Sequence, residues 1–104
     1  MWIMMNDSFL SIVCKPEDTV NLTVRARRKE DILRVFPKAL VVRSAATDYR
    51  YRAKISRHVV AEVVGERILN IQYDNFKDSV VDAKRYQLYT KVWATMTQLE
   101  ERNK

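Results

Sequence analysis

The chain of 104 residues contains very little glycine, cysteine, histidine and proline. Its single glycine, Gly65, excludes Walker and dinucleotide-binding loops, because those loops need several glycines to let main-chain amides approach a phosphate. One cysteine, Cys14, and one histidine, His58, exclude a tetrahedral zinc site of the Cys/His kind within one chain. A lone cysteine also excludes a disulfide scaffold and is typical of a reducing compartment. We therefore expect a cytoplasmic protein without a cofactor.

Long apolar segments are missing as well. The opening residues 1–5 are apolar, but they lack a basic flank, and Asp7 interrupts them long before the length of a signal peptide or membrane span is reached. No linker rich in glycine, serine or proline appears. With 47% hydrophobic and 31% charged residues, residues 1–104 are predicted to form one domain without a membrane partner.

The chain is basic, and its excess charge is confined to the first half. There are 19 Lys and Arg against 13 Asp and Glu, which gives a net charge of +6. Residues 1–57 hold 12 basic and 6 acidic side chains, whereas residues 58–104 hold 7 of each. This asymmetry favours polyanions or acidic proteins as partners of the first half.

Alternation of apolar and polar residues predicts five strands. Two short apolar runs, residues 2–5 and 8–14, flank a predicted turn at Asn6-Asp7 and indicate a hairpin. Residues 20–27 alternate with period 2, which predicts a third strand with one apolar and one polar face. Residues 39–44 and 49–55 predict two further strands.

Helices are predicted after the third and fifth strands. Glu30 and Asp31 favour the start of a short helix that Pro37 ends, and Ser56 is a candidate N-cap for a valine-rich helix. Asp74 is a candidate cap for a short helix. A last helix begins near Ala83 and carries an apolar stripe that we expect in the core: Tyr86, Tyr89, Trp93, Met96 and Leu99. The order βββαββααα predicts an α+β fold with an antiparallel sheet of about five strands.

Several segments resemble those of a family of small bacterial proteins of about this length. The segments are Met1-Trp2-Ile3, Phe9-Leu10-Ser11-Ile12-Val13, Val24-Arg25-Ala26-Arg27, Asp48-Tyr49-Arg50-Tyr51-Arg52-Ala53, Tyr73-Asp74-Asn75-Phe76-Lys77 and Tyr89-Thr90-Lys91-Val92-Trp93-Ala94-Thr95-Met96. The resemblance covers nearly the whole chain and implies a bacterial or phage-borne intracellular protein. It implies no activity, cofactor or catalytic residue.

The strongest functional pattern is a set of cations on two predicted strands, which would share one sheet face if the strands are neighbours. These residues are Arg25, Arg27, Arg50, Arg52 and Lys54, and Arg28 extends the set. Such a face is suited to the phosphates of nucleic acid or to an acidic protein surface, such as one that a phage-borne inhibitor blocks. Tyr49 and Tyr51 have the opposite parity and are expected in the core, which argues against base stacking by these two rings. The alternative is a solvated face without a partner.

A small metal-independent nuclease is the competing hypothesis. His58 with Arg57, Arg50 and a tyrosine would be able to deprotonate a ribose hydroxyl and stabilise a phosphorane. No neighbouring pattern supplies an orienting carboxylate, and a lone histidine at a helix start is typical of a surface or capping residue. Three acidic residues at four-residue spacing, Asp74, Asp78 and Asp82, are interpreted as a solvated or salt-bridged face.

Two apolar features remain. Cys14 is expected to be a small buried residue, because Lys15 is its only cationic neighbour in the sequence. The first hairpin is apolar on both faces, so its second face needs cover from the later helices or from a second copy of the chain. A homodimer would use Trp2, Met4 and Phe9. The leading hypothesis is thus a non-enzymatic binding module, with the nuclease as its alternative.

Overall fold

The computed structural model describes residues 1–100, and it divides into a compact unit of residues Met1–Gln72 and a second unit that begins at Tyr73. The strands are β1 (Trp2–Met4), β2 (Phe9–Lys15), β3 (Asp18–Ala26), β4 (Val42–Arg43) and β5 (Tyr51–Ser56), and the helices are α1 (Lys29–Val35), α2 (Arg57–Leu69) and α3 (Ala83–Met96). Short 3₁₀ turns cover Lys77–Ser79 and Thr97–Leu99. The predicted α+β fold with a five-stranded antiparallel sheet is confirmed, in nearly the predicted element order. None of the helices within residues 1–100 is long and apolar enough to cross a bilayer.

The sheet has the order β1-β2-β3-β5-β4, with every neighbouring pair antiparallel. Strand β3 lies in the middle and pairs with β2 along one edge and β5 along the other. Strand β4 pairs at only two positions, so the predicted strand over residues 39–44 is shorter than expected. A short edge strand offers little backbone to another chain, which limits unwanted strand pairing.

The core lies between one face of the sheet and the helices α1 and α2. Every second residue of β2, β3 and β5 points into it, and α1, the residue after it and α2 supply the opposing side chains. The buried set is Leu10, Ile12, Val24, Ala26, Ala53, Ile32, Val35, Phe36 and Val60. We call the side of the sheet that packs against α1 and α2 the helical face, and the opposite side the outer face. Burial of a single valine or leucine of this set stabilises the fold by about 1.5–3 kcal/mol.

Asp31 joins α1 to the first hairpin. Its carboxylate is buried, and its Oδ2 atom accepts a hydrogen bond from the backbone N–H of Phe9 at 2.9 Å. The guanidinium of Arg34, one turn later, lies 3.3 Å from its other oxygen. The predicted helix start at Glu30 and Asp31 is therefore present, and Asp31 has the further task of holding the start of β2.

Asp7, in the turn of the hairpin, forms a second link to the helices. Arg67 of α2 donates to its Oδ1 atom at 2.8 Å, and Arg34 donates to its backbone oxygen at 2.8 Å. Partial burial alone would raise the pKa of Asp7, but the hydrogen bond and charge of Arg67, together with the charge of Arg34, outweigh burial and hold this pKa below its usual value.

The second unit is built around α3. Asp82 caps this helix by accepting a hydrogen bond from the N–H of Arg85 at 2.8 Å. The ring of Phe76 stacks on that of Tyr89, with centroids 5.8 Å apart and planes at 17°. The side chain of Asn75, not the predicted cap Asp74, accepts the N–H of Asp78 at the start of the 3₁₀ turn.

Two burial predictions are wrong. Tyr89 is the only buried member of the apolar stripe on α3, whereas Tyr86, Trp93, Met96 and Leu99 are 41–76% exposed. Cys14 is exposed as well, because the pairing of β2 with β3 shifts register between Val13 and Lys15 and interrupts the alternation there. The spacing of apolar residues predicted the strand β2 and the helix α3 correctly, but it did not predict which of their side chains are buried.

The ion pair of Asp7 predicts a pH-dependent contribution to stability. A carboxyl group with a lowered pKa in the folded state stabilises it above the ordinary value of 3.8, and this contribution is lost as the pH falls below that value. We expect Asp7→Asn to lower the free energy of unfolding at pH 7 by about 0.5–1 kcal/mol, because the side chain is 40% exposed and solvent screens the pair. Denaturant titrations should show this difference vanish in acid. Glu62→Gln, at an exposed position of α2, is the control.

Candidate anion-binding face of the sheet

The centre of the outer face holds two arginines directly opposite each other. Arg25 on β3 pairs with Arg52 on β5, in a row that continues to Ser11 on β2 and Val42 on β4. Side chains opposite each other in an antiparallel ladder point to the same face, with Cα atoms about 4.5–5.5 Å apart. The sequence analysis expected a shared basic face if these two strands were neighbours, and the register meets that condition for Arg25 and Arg52. Lys54 follows in the next row on the same face, opposite Thr23.

Arg25 is held in a fixed position. Its Nη2 atom donates to the hydroxyl oxygen of Ser11 at 2.6 Å, and Ser11 itself is only 1% exposed. The Nε atom of Arg25 is buried and has no hydrogen-bond partner within residues 1–100. The guanidinium therefore keeps donor capacity after its contact with Ser11, since a guanidinium carries five N–H groups.

Tyr49 is buried, as predicted, but it lies outside the main core cluster and contacts two of the arginines. Strand β5 begins at Tyr51, so the alternation does not extend back to Tyr49, and only Tyr51 packs against the core. The ring centroid of Tyr49 is 4.7 Å from the guanidinium carbon of Arg25 and 4.4 Å from that of Arg27. Arg27 also donates to the backbone oxygen of Asp48 at 2.5 Å. Contacts of this kind attract the guanidinium groups to the face of the ring and fix their orientation.

The remaining cations differ in exposure. Arg52 is half-buried and, like Arg25, has a buried Nε atom without a hydrogen-bond partner in the described part of the chain. Arg50 and Lys54 are exposed, and Arg28 is exposed at the residue before α1. Two ion pairs, Arg34–Asp31 and Arg67–Asp7, involve other residues. Across residues 1–100, no carboxylate forms an ion pair with the cations that we call the basic face: Arg25, Arg27, Arg50, Arg52 and Lys54.

A groove of about 390 Å³ adjoins the basic face at Arg52 and Lys54. Its other walls come from the turn between β2 and β3 and from the segment around β4; the lining residues are Lys15, Glu17, Thr23, Leu40, Val42, Arg52, Ala53 and Lys54. Three cations and one carboxylate therefore border it. At the start of β3, hydrogen bonds from the side chain and the backbone N–H of Asn21 lower the pKa of Asp18, and the charge of Lys54 adds to this effect.

The structure places an aromatic side chain on the basic side of the sheet that the sequence analysis did not assign there. Trp2 on β1 is opposite Ser11, and therefore lies in the same row as Arg25 and Arg52. Its side chain is 72% exposed. The sequence indicated that Trp2 and Met4 share one face of the hairpin. Only the pairing of β2 with β3 shows that this face is the one that carries Arg25 and Arg52.

The residues of the nuclease hypothesis are not brought together. Arg50 precedes β5 and His58 follows it, so the length of a six-residue strand, about 20 Å, separates them. Arg57 donates to the backbone oxygen of Thr19 at 3.1 Å and to the sulfur of Cys14 at 3.4 Å, which gives this thiol a cationic neighbour that the sequence did not indicate. The side chain of His58 is exposed and forms no hydrogen bond or ion pair within residues 1–100. No orienting carboxylate accompanies it there.

Metal ligands do not gather in the described part of the chain. Within residues 1–100, no group of three or more His, Cys, Asp and Glu side chains is placed to hold a metal ion. Asp74, Asp78 and Asp82 are all exposed, and Asp82 caps α3.

Comparison of the chain with models of protein families, with curated proteins and with solved structures finds no match.

The layer formed by Arg25, Tyr49 and Arg27 predicts a specific mutational pattern. Tyr49 is 5% exposed, and no hydrogen bond of its hydroxyl group is seen within residues 1–100. We expect Tyr49→Phe to leave stability nearly unchanged, because the ring and its contacts with both guanidinium groups remain. Tyr49→Leu should lower the free energy of unfolding by about 1–2 kcal/mol, since the cation–π contacts and part of the packing are lost. Equal effects of the two substitutions in denaturant titrations would contradict this role.

Proposed function

We propose that the protein is a non-enzymatic binding module whose basic face docks an acidic partner, and that this partner is the phosphate backbone of nucleic acid in the cytoplasm. The observation that carries the proposal is the direct cross-strand pairing of Arg25 with Arg52. Neither guanidinium has a carboxylate partner within residues 1–100. Like charges directly opposite each other in a sheet destabilise it, and an anion bound between them offsets that repulsion.

The chemistry of the pair suits phosphate. Arginine presents a planar fork of N–H donors that matches two oxygens of one phosphate, and such charge-assisted bonds are stronger than neutral ones. Arg25 and Arg52 are half-buried, so solvent screens their charges less than it screens fully exposed ones. Arg27 and Lys54 extend the positive charge along the same side, and Arg50 adds an exposed cation in the bend that precedes β5. A continuous chain of phosphates supplies anions over this whole length, whereas an acidic protein surface presents scattered carboxylates.

A charge substitution tests this proposal without altering the half-buried arginines, Arg25 and Arg52. We expect Arg50→Gln with Lys54→Gln to weaken binding of a labelled oligonucleotide about tenfold at low salt, because two charge-assisted contacts are lost. The slope of log K against log salt should fall by about 1.4 for a single strand, in proportion to the two cations removed. Fluorescence anisotropy over a series of salt concentrations measures both quantities. Both positions are exposed, so stability should change by less than about 0.5 kcal/mol.

The matched control removes the same charge from the helical side. Lys29 and Lys38 are exposed at the start and just beyond the end of α1, and α1 packs against the helical face. Lys29→Gln with Lys38→Gln should change affinity by less than twofold. An unmodified protein that binds no oligonucleotide at low salt would refute the proposal. Binding that is equally weakened by both double variants would show attraction by net charge only, and would also refute a specific face.

A homodimer through the first hairpin is a second candidate, and the exposure of Trp2 favours it. The ring of Trp2 contacts that of Phe9 edge-on, with centroids 6.1 Å apart, but 72% of the Trp2 side chain is exposed. Met4 and Phe9 are half-buried on the same face. A second copy that covers these three residues would remove a large apolar surface from water.

Sedimentation velocity tests the homodimer. If the hairpin is an interface, the protein should sediment as a dimer at high micromolar concentration, and Trp2→Glu should convert it to a monomer by placing a charge in the contact. The matched control is the same substitution at the exposed tryptophan of α3, Trp93→Glu, which should leave the association unchanged. A protein that stays monomeric at the highest soluble concentration rules out this interface.

A further inference from the structure

We infer that the outer face binds single-stranded nucleic acid, with a base stacked on Trp2 and the adjoining phosphates on Arg25 and Arg52. This inference rests on the proposed function and narrows its ligand from any phosphate backbone to an unpaired strand. It follows from one row of the sheet, in which Trp2, Ser11, Arg25 and Arg52 are successive cross-strand partners.

The spacing within this row fits one strand of nucleic acid. Neighbouring strands lie about 4.8 Å apart, so the Cα atom of Trp2 is roughly 10 Å from that of Arg25, with Ser11 between them. The residue between them in the row, Ser11, is small and buried, and its hydroxyl oxygen accepts a hydrogen bond from Arg25. A base and its own phosphate can therefore contact Trp2 and Arg25 together.

Trp2 is held in place although its side chain is exposed. The backbone N–H of Ile12 donates to the oxygen of Met1 at 2.8 Å, which continues the pairing of β1 with β2 beyond Trp2. Phe9 meets the indole edge-on at an interplanar angle of 77°, so it supports the ring from the side. A fixed exposed indole loses little conformational freedom when a base stacks on it.

The combination of groups distinguishes an unpaired strand from a duplex. In a duplex the faces of the bases are already stacked on each other, and only phosphates and groove edges are accessible. Stacking on an aromatic side chain needs a base that is free of its neighbours, and single-strand-binding proteins combine such stacking with a positive surface for the backbone. The aromatic Tyr49 is not available for this purpose, because Arg25 and Arg27 both contact its ring.

The first experiment compares variants in the full-length protein, with a fluorescein-labelled thymidine oligonucleotide of about 12 residues as the probe. We expect Trp2→Ala to weaken binding about 5- to 100-fold, whereas Trp2→Phe retains most of the affinity because its ring still stacks. The matched control is Trp93→Ala on α3, where the indole is 55% exposed and Lys77 Nζ lies 4.4 Å from its centroid. This substitution should leave affinity unchanged. A duplex of the same length should bind more weakly and be insensitive to Trp2→Ala.

The second experiment observes the stacking itself. In a Trp93→Phe variant, Trp2 is the only tryptophan, because the sequence contains two. Addition of the unlabelled oligonucleotide should quench its fluorescence, and an abasic oligonucleotide with the same phosphates should bind without quenching. The signal would thus report contact between a base and Trp2 separately from attraction to the backbone.

The outcomes separate the inference from the function on which it rests. Equal binding of the abasic and thymidine strands, unaffected by Trp2→Ala, would overturn the stacking inference but leave the backbone-binding function intact. Failure of every strand to bind would refute both. Loss of binding in Trp2→Ala together with conversion of a dimer to a monomer in sedimentation would assign Trp2 to self-association, and would also overturn the inference.

Discussion

Strand β3 is paired along both of its edges, and this constraint determines the two faces of the sheet together. Val24 and Ala26 are fully buried beneath the helices, so their register cannot shift by one residue without exposing them. The alternation then leaves Arg25 on the outer face, and the pairing with β5 places Arg52 beside it. The core and the basic face are consequences of one register.

The energies explain how such a face persists. Single cross-strand pairs change stability by about 0.2–1 kcal/mol when they are favourable, and like charges directly opposite each other are unfavourable, whereas burial of one side chain such as Val24 contributes about 1.5–3 kcal/mol. The helical face can therefore stabilise a sheet whose outer face contains an unfavourable pair. Ser11 and Tyr49 reduce the cost further by contacting Arg25, but their groups carry no negative charge to neutralise it. The repulsion between the arginines remains available to be relieved by an anion.

Local patterning predicted most of the elements, and the failures have definite physical causes. The alternation over residues 20–27 predicted the buried face of β3, and its outward cations followed from the same period. The neighbours of Tyr49 were not predicted because β5 begins at Tyr51, two residues later than the expected start, so the alternation of the strand does not include Tyr49. On α3, Trp93 and Met96 have the spacing of a core stripe but are exposed, because spacing shows that a helix has an apolar side and not that another element covers it.

The candidate site shows the same limit at longer range. The outward orientation of Arg25 and Arg52 was predictable from their own strands, because the alternation of apolar and polar residues is visible within each strand. Trp2 was not, because its relation to them passes through two strand pairings, β1 with β2 and β2 with β3. An exposed indole on a short edge strand is also a liability, since sheet edges and apolar surface favour association with other chains. The basic face accounts for this exposed indole in two ways. The positive charge in the same row of the sheet repels a second copy of the chain that approaches in parallel. The same charge attracts a strand of phosphates, which brings bases to the ring of Trp2.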